Sequence, residues 1–147
     1  LSQMDISKNE AEQPAAQSDA VPADTTMVQY IVIRKDLQTT LDWKAGSVIA
    51  QACHAAVAVI FENIRDESVQ SYCTGGITGN LAGNMHKVVL QAKSDKELMK
   101  LAANLNQHSI VHKVWIEQPE NIPTCIATKP YTRKELAPHF RKFNLYS

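Results

Sequence analysis

The chain has 147 residues, 15 basic and 15 acidic side chains, and 44% apolar residues, enough for one core and too few for two. Its longest apolar run, 48–61, is broken by Gln51 and His54 and is too short to span a bilayer, so no membrane segment is predicted. Cys53, Cys73 and Cys125 are odd in number and lack C-x-x-C spacing, which argues against a disulfide framework or zinc ribbon. With neither a secretory nor a transit-type N-terminus, this predicts a soluble cytoplasmic protein.

Residues 1–26 carry no aromatic residue and no apolar period, and their five acids face Lys8 alone, which predicts a disordered acidic tail of charge −4. The remaining 27–147 then carry +4, predicted to fold as one domain. "MVQYIVIRKDL" (27–37) reads as a strand buried on both faces, with Asp36 at its exit. The alanine-rich stretch that follows predicts a helix over 47–65. Residues 66–86 are polar, then glycine-rich, and 75–83 reads as a flexible connector because it precedes a strand instead of joining strand to helix.

"KVVLQA" (87–92) is a second strand, and "SDKE" (94–97) is a capping box opening a helix with Leu98, Leu101, Ala102 and Leu105 on one face. "SIVHKVWIE" (109–117) and "PTCIATK" (123–129) predict two more strands. "TRKE" (132–135) opens a last helix, which Pro138 is expected to kink or delay. This order predicts an α/β fold with a mixed sheet covered on both faces, its sites near the carboxyl ends of strands, where Asp36 and Glu117 lie.

The 47–65 helix also carries polar groups in a pattern. At 100° per residue, Ser47, Gln51 and His54 fall within about 60° of one another, a polar stripe on an otherwise apolar helix. Such a stripe either pairs with nearby backbone or lines a cleft. Cys53 and His54 are adjacent and point about 100° apart, which rules out a nucleophile pair between them. His108 and His112 span a helix end and a strand start, a poor context for a metal pair. Trp43 and Trp115 are candidates for stacking on a nucleobase, although Trp115 inside a strand reads more naturally as core.

"VIRKDL", "AQACHAA", "KVVL" and an acid closing the third strand resemble, in this order and spacing, the type 2 peptidyl-tRNA hydrolase family. The likeness covers about residues 27–146. It is closer still to an animal subgroup, the peptidyl-tRNA hydrolase domain-containing proteins, through "RKDL", "AQACHAA" and "EQPEN…TCIA". The resemblance implies a three-layer α/β/α sandwich around a four-stranded mixed sheet. It also implies hydrolysis of the ester joining a peptide to the 3′-terminal ribose of tRNA, with no metal or organic cofactor. By the same resemblance Asp36, Gln51, His54, Lys87, Glu117 and Thr124 occupy catalytic positions, Glu117 standing where the family has aspartate. Two motifs depart from the family. Its K-G-K at the start of the first helix is "AGS" here, with Lys44 one position away, and its D-A-G-R-T loop is shortened to "EQPENIP".

Ester hydrolysis needs a general base, donors at the developing oxyanion and a grip on phosphate. Glu117 or Asp36 suits the first role and Lys87 or His54 the second, with Gln51 orienting water or peptide. Lys35, Lys44, Lys129, Arg133, Lys134, Arg141 and Lys142 suit the third. As structural alternatives, Asp36 and Glu117 are turn caps, Lys87 is a solvated strand end, and the basic C-terminal segment is a solvated helix face. Three functions follow: a peptidyl-tRNA hydrolase, an RNA- or tRNA-binding module on the same fold that does not cut, and a protein-interaction adaptor. A homodimer is compatible with each.

Overall fold

A computed structural model describes residues 25–75 and 85–147. The expected acidic tail, apart from its last two residues, and nearly all of the glycine-rich segment lie outside the described residues.

In chain order the elements are β1 (Met27–Arg34), α1 (Asp36–Thr39), α2 (Ala45–Glu62), α3 (Glu67–Thr74), β2 (His86–Ala92), α4 (Asp95–Gln107), β3 (His112–Glu117), β4 (Ile122–Thr128), β5 (Tyr131–Thr132), α5 (Arg133–Phe140) and β6 (Asn144–Leu145). Four long strands are ordered β3-β4-β1-β2. The two-residue strands are additions to the four expected, β6 beside β2 and β5 beside the start of β1. β1 runs parallel to β2, from Val28 opposite His86 to Arg34 opposite Ala92, and antiparallel to β4. Because β4 is also antiparallel to β3, the three strands β1, β2 and β3 share a direction, and their carboxyl ends form one rim of the sheet.

The central β1 is apolar at nearly every position because both its faces are covered. Val28, Tyr30 and Val32 pack with Leu98, Leu101, Leu105, Leu136 and Phe140 of α4 and α5. Ile31 and Ile33, on the other face, pack with Val48, Ala55 and Val59 of α2. This alternation produces three layers, α2 on one side and α4 with α5 on the other.

Several element boundaries differ from the sequence expectation for local reasons. β1 stops at Arg34, and the "DLQT" that follows is a helical turn placing Asp36 just past the strand. α2 begins two residues early, so "AGS" forms its first turn. α3 has no counterpart in the sequence reading, since only Val69 and Tyr72 of its eight residues are buried. Its signals were at its ends: Asp66 caps it by accepting from the Ser68 amide at 2.8 Å, and Gly75 closes it in the left-handed region, φ 80°. β3 starts at His112, three residues late, because Ser109 leaves α4 with φ 55°. The box at Ser94 is half reciprocal: Glu97 reaches back to the Lys93 amide instead of that of Ser94. At Thr132 the box is complete, so α5 starts at Arg133, undelayed by Pro138.

Asp66 also binds Lys129 at 2.6 Å. The Lys129 ammonium, and then the Ser68 hydroxyl, hold its carboxyl well below the usual carboxylate range. A folded-state pKa below that of the unfolded chain makes a contribution that is complete above about pH 5, begins to be lost as pH falls below about 4, and goes on falling toward the lower folded-state pKa. Thermal melts between pH 5 and 3 should therefore fall more steeply for the parent than for Asp66→Asn. Asp66→Ala should cost about 1 kcal/mol at neutral pH through loss of the cap.

Candidate active site at the strand rim

α2 starts at the rim and runs back along the sheet, packed on β1, β3 and β4. Gln51, buried at 3% exposure, is fully engaged: its carbonyl accepts from the Thr124 hydroxyl at 2.8 Å and its amide donates to the Ser47 carbonyl at 3.2 Å. Thr124, at the start of β4, is itself completely buried. The polar stripe is thus half structural, since the Gln51–Thr124 bond fixes α2 to β4. His54, one turn on, is exposed and lies flat on Trp115, with ring centroids 4.7 Å apart and planes at 18°.

Trp115 packs against the α2-side core, as its place inside a strand suggests, and also reaches the site. It is half-buried, one ring face is covered by His54, and its Nε1 donates to Glu117 Oε2 at 2.7 Å. The sequence carried this signal: residues two apart on a strand share a face, so Trp115 had to point where Glu117 points. Together Trp43, Ser47, Gln51, His54, Glu117 and Glu120 line an open cleft of about 410 Å³. Glu120, which the sequence reading did not single out, reaches it from the β3–β4 turn.

No lysine or arginine lines this cleft among the described residues. Its side-chain donors are neutral groups, among them Trp43, Ser47 and Gln118. The α2 N-cap, Lys44, makes no side-chain capping bond, so the first amides of the helix, Ala45 to Ser47, have no partner among the described residues. A methyl group added at Gly46 would meet nothing within 4 Å, which leaves the helix end open to approach. Helix N-termini carry partial positive charge and attract anions.

Asp36 lies at the same rim but is committed to Arg34. The pair is bidentate, Nε to Oδ1 at 2.9 Å and Nη2 to Oδ2 at 2.7 Å, and Arg34 is only 6% exposed. The guanidinium also donates to the Pro123 carbonyl at 2.9 Å, tying β1 to the start of β4 beside Thr124. Asp36 is thus the counter-ion of a buried cation.

Lys87 is not brought to this group. It pairs with Gln29 near the beginning of β1, five residues before Ala92 and the rim, roughly 16 Å along the strand. There its ammonium donates to the Tyr72 hydroxyl at 3.1 Å, and burial pulls its pKa down. The reason is directional: a residue that opens a strand parallel to β1 must sit opposite the rim where β1 ends.

The cations foreseen for phosphate do not form one patch. Lys129 is bound to Asp66 and lies over the Tyr131 ring, and Lys44 pairs with Asp42 at 3.3 Å. Lys35 donates to Gln38 and to the Ser147 carbonyl. Arg133 and Lys134 are exposed on α5, and Arg141 and Lys142 follow it, in the layer opposite α2.

With this geometry in place, comparison with known proteins is decisive. Residues 27–146 match the family model described as peptidyl-tRNA hydrolase PTH2. The chain belongs to the PTH2 family. It is 43% identical over 121 residues, 82% of each chain, to the human protein named "Putative peptidyl-tRNA hydrolase PTRHD1". The mouse protein of the same name is 42% identical over the same length. A peptidyl-tRNA hydrolase of Methanococcus maripaludis is 33% identical over 78 residues, 53% of this chain and 59% of that one. The PTH2 match takes in every element from β1 to β6, and the three-layer α/β fold is as the resemblance implied.

Proposed function

We propose that this PTH2-family chain hydrolyses the ester between a peptide and the 3′ end of tRNA in the cleft beneath the α2 N-terminus. The observation that carries the reading is that one positioned carboxylate, Glu117, lines a single cleft together with His54 and with Ser47 of the uncapped first turn of α2.

Trp115 holds Glu117 Oε2, which leaves Oε1 to take a proton from water. The water oxygen bonds to the ester carbonyl carbon. The carbonyl oxygen becomes an oxyanion, for which the first-turn amides of α2 around Ser47, together with His54, serve as donors. Collapse breaks the carbon–oxygen bond to the ribose, and the 3′ oxygen leaves with the proton returned by Glu117. Amide donors at the helix end thereby take over work that the lost lysines of the K-G-K motif would share. Gln51 and Thr124 act by fixing α2 to β4.

The absence of lysine and arginine from the described cleft lining favours a second reading, a module that holds tRNA without cutting it. Release of free tRNA from N-acetyl-aminoacyl-tRNA separates the two. Turnover by the parent that falls about a hundredfold or more in His54→Ala supports the hydrolase. No turnover, with salt-sensitive tRNA binding retained, supports the binding module.

A further inference from the structure

In the layer opposite the cleft, α4 and α5 leave a groove of about 600 Å³ lined by Lys100, Asn104, His108, His139, Arg141 and Lys142. His108 meets His139 there, not its sequence neighbour His112. The two rings sit edge to face with centroids 4.8 Å apart. Both are anchored by one residue. His108 Nδ1 lies 2.8 Å from the Asn104 backbone oxygen, and His139 Nδ1 lies 3.1 Å from the Asn104 side-chain oxygen. A carbonyl oxygen only accepts, so in each ring the proton is on Nδ1 and donates. Each Nε2 is left without a partner among the described residues. An imidazole fixed in this way can donate through Nε2 only after taking up a second proton.

The surroundings decide what such a pair can bind. Lys100 on α4, with Arg141 and Lys142 after α5, add positive charge, and among the described residues no carboxylate lines the groove. The acids of these two helices make bonds at the helix starts, Asp95 and Glu97 with the Lys96 and Lys93 amides and Glu135 with Thr132. A cation is therefore repelled and an anion attracted. We propose that this groove binds phosphate groups, of an RNA backbone or of a free polyphosphate, and that His108 and His139 take up protons as it does so. In the free protein, burial and then the neighbouring His108 hold the His139 ring below the ordinary imidazole value. A bound anion acts in the opposite direction, so affinity rises as pH falls from about 7.5 to about 6, roughly tenfold for each unit by which an imidazole pKa rises. The site is on the other face from the cleft and stands whether or not the cleft turns over.

The test uses the full chain. The His108 and His139 ring proton resonances are titrated with pH, alone, with pyrophosphate and with tRNA, and tRNA affinity is measured at about pH 6 and 7.5 at constant ionic strength. Both rings should titrate higher with ligand, and tRNA should bind roughly ten- to a hundredfold more tightly at the lower pH, up to tenfold from each ring. A His108→Gln/His139→Gln double variant should lose that pH dependence. Lys100→Gln/Arg141→Gln should bind more weakly at both pH values. A shift caused by pyrophosphate assigns the groove to any polyphosphate, and a shift caused by tRNA alone assigns it to a nucleic-acid backbone. Ring titrations moved by neither ligand, or a pH dependence that survives in the double variant, would overturn the proposal.

Discussion

Glu117→Gln is expected to lower peptidyl-tRNA turnover by about a hundred- to ten-thousandfold while leaving the melting temperature of the protein essentially unchanged. Glutamine keeps an oxygen to accept from Trp115 Nε1, so the β3 end and the Trp115–His54 stack are retained. What is lost is the group that takes a proton from water. The matched control is Lys87→Ala, which should leave turnover unchanged, because the β1–β2 register sets Lys87 away from the rim where Glu117 lies. Single-turnover release of tRNA by the two variants checks both statements together. Loss of activity in Lys87→Ala with activity kept in Glu117→Gln would move the reaction to the other end of the sheet.

Asp36→Asn should destabilise the fold by about 3 kcal/mol, near the lower end of the range for breaking a buried ion pair, since the Asp36 side chain is 20% exposed. Arg34 is the reason for the size of the effect. Its guanidinium is buried, has Asp36 as its salt-bridge partner, and would keep a full charge with only the Pro123 carbonyl and a weaker amide acceptor to face. Urea unfolding should show a lower midpoint with an unchanged slope, and the melting temperature should fall by about 10 °C. Because the same guanidinium reaches the carbonyl before Thr124, activity should fall in parallel with stability. Activity abolished at full stability would instead make Asp36 a participant in the chemistry.

The two predictions separate residues that sequence alone had placed in one class. Asp36, Gln51, Lys87, Glu117 and Thr124 were all candidates through their positions in motifs. The fold makes Asp36 a counter-ion and makes Gln51 with Thr124 a bond between two layers, while Glu117 is turned into a cleft and Lys87 is sent to the opposite rim. A motif records which residues occur together along the chain. It does not record strand direction, and direction decides which ends meet.

What the sequence determined by itself was most of what depends on short-range periodicity, and the caps wherever an apolar period accompanied them, as it did not in α3. The apolar β1 and the α4 face of Leu98, Leu101 and Leu105 follow from the pattern, because burial on one or two faces dictates which positions are apolar. The Thr132 box and the polar stripe of α2 were equally legible, since both rest on residues within one or two turns. Tertiary structure alone decided the pairings over long separations. These include Gln51 with Thr124, Lys129 with Asp66, His54 against Trp115 and His108 against His139. Each partner is an unremarkable polar or aromatic residue in its own segment, and the sheet order and the side on which each helix crosses determine which of them come within a few ångströms.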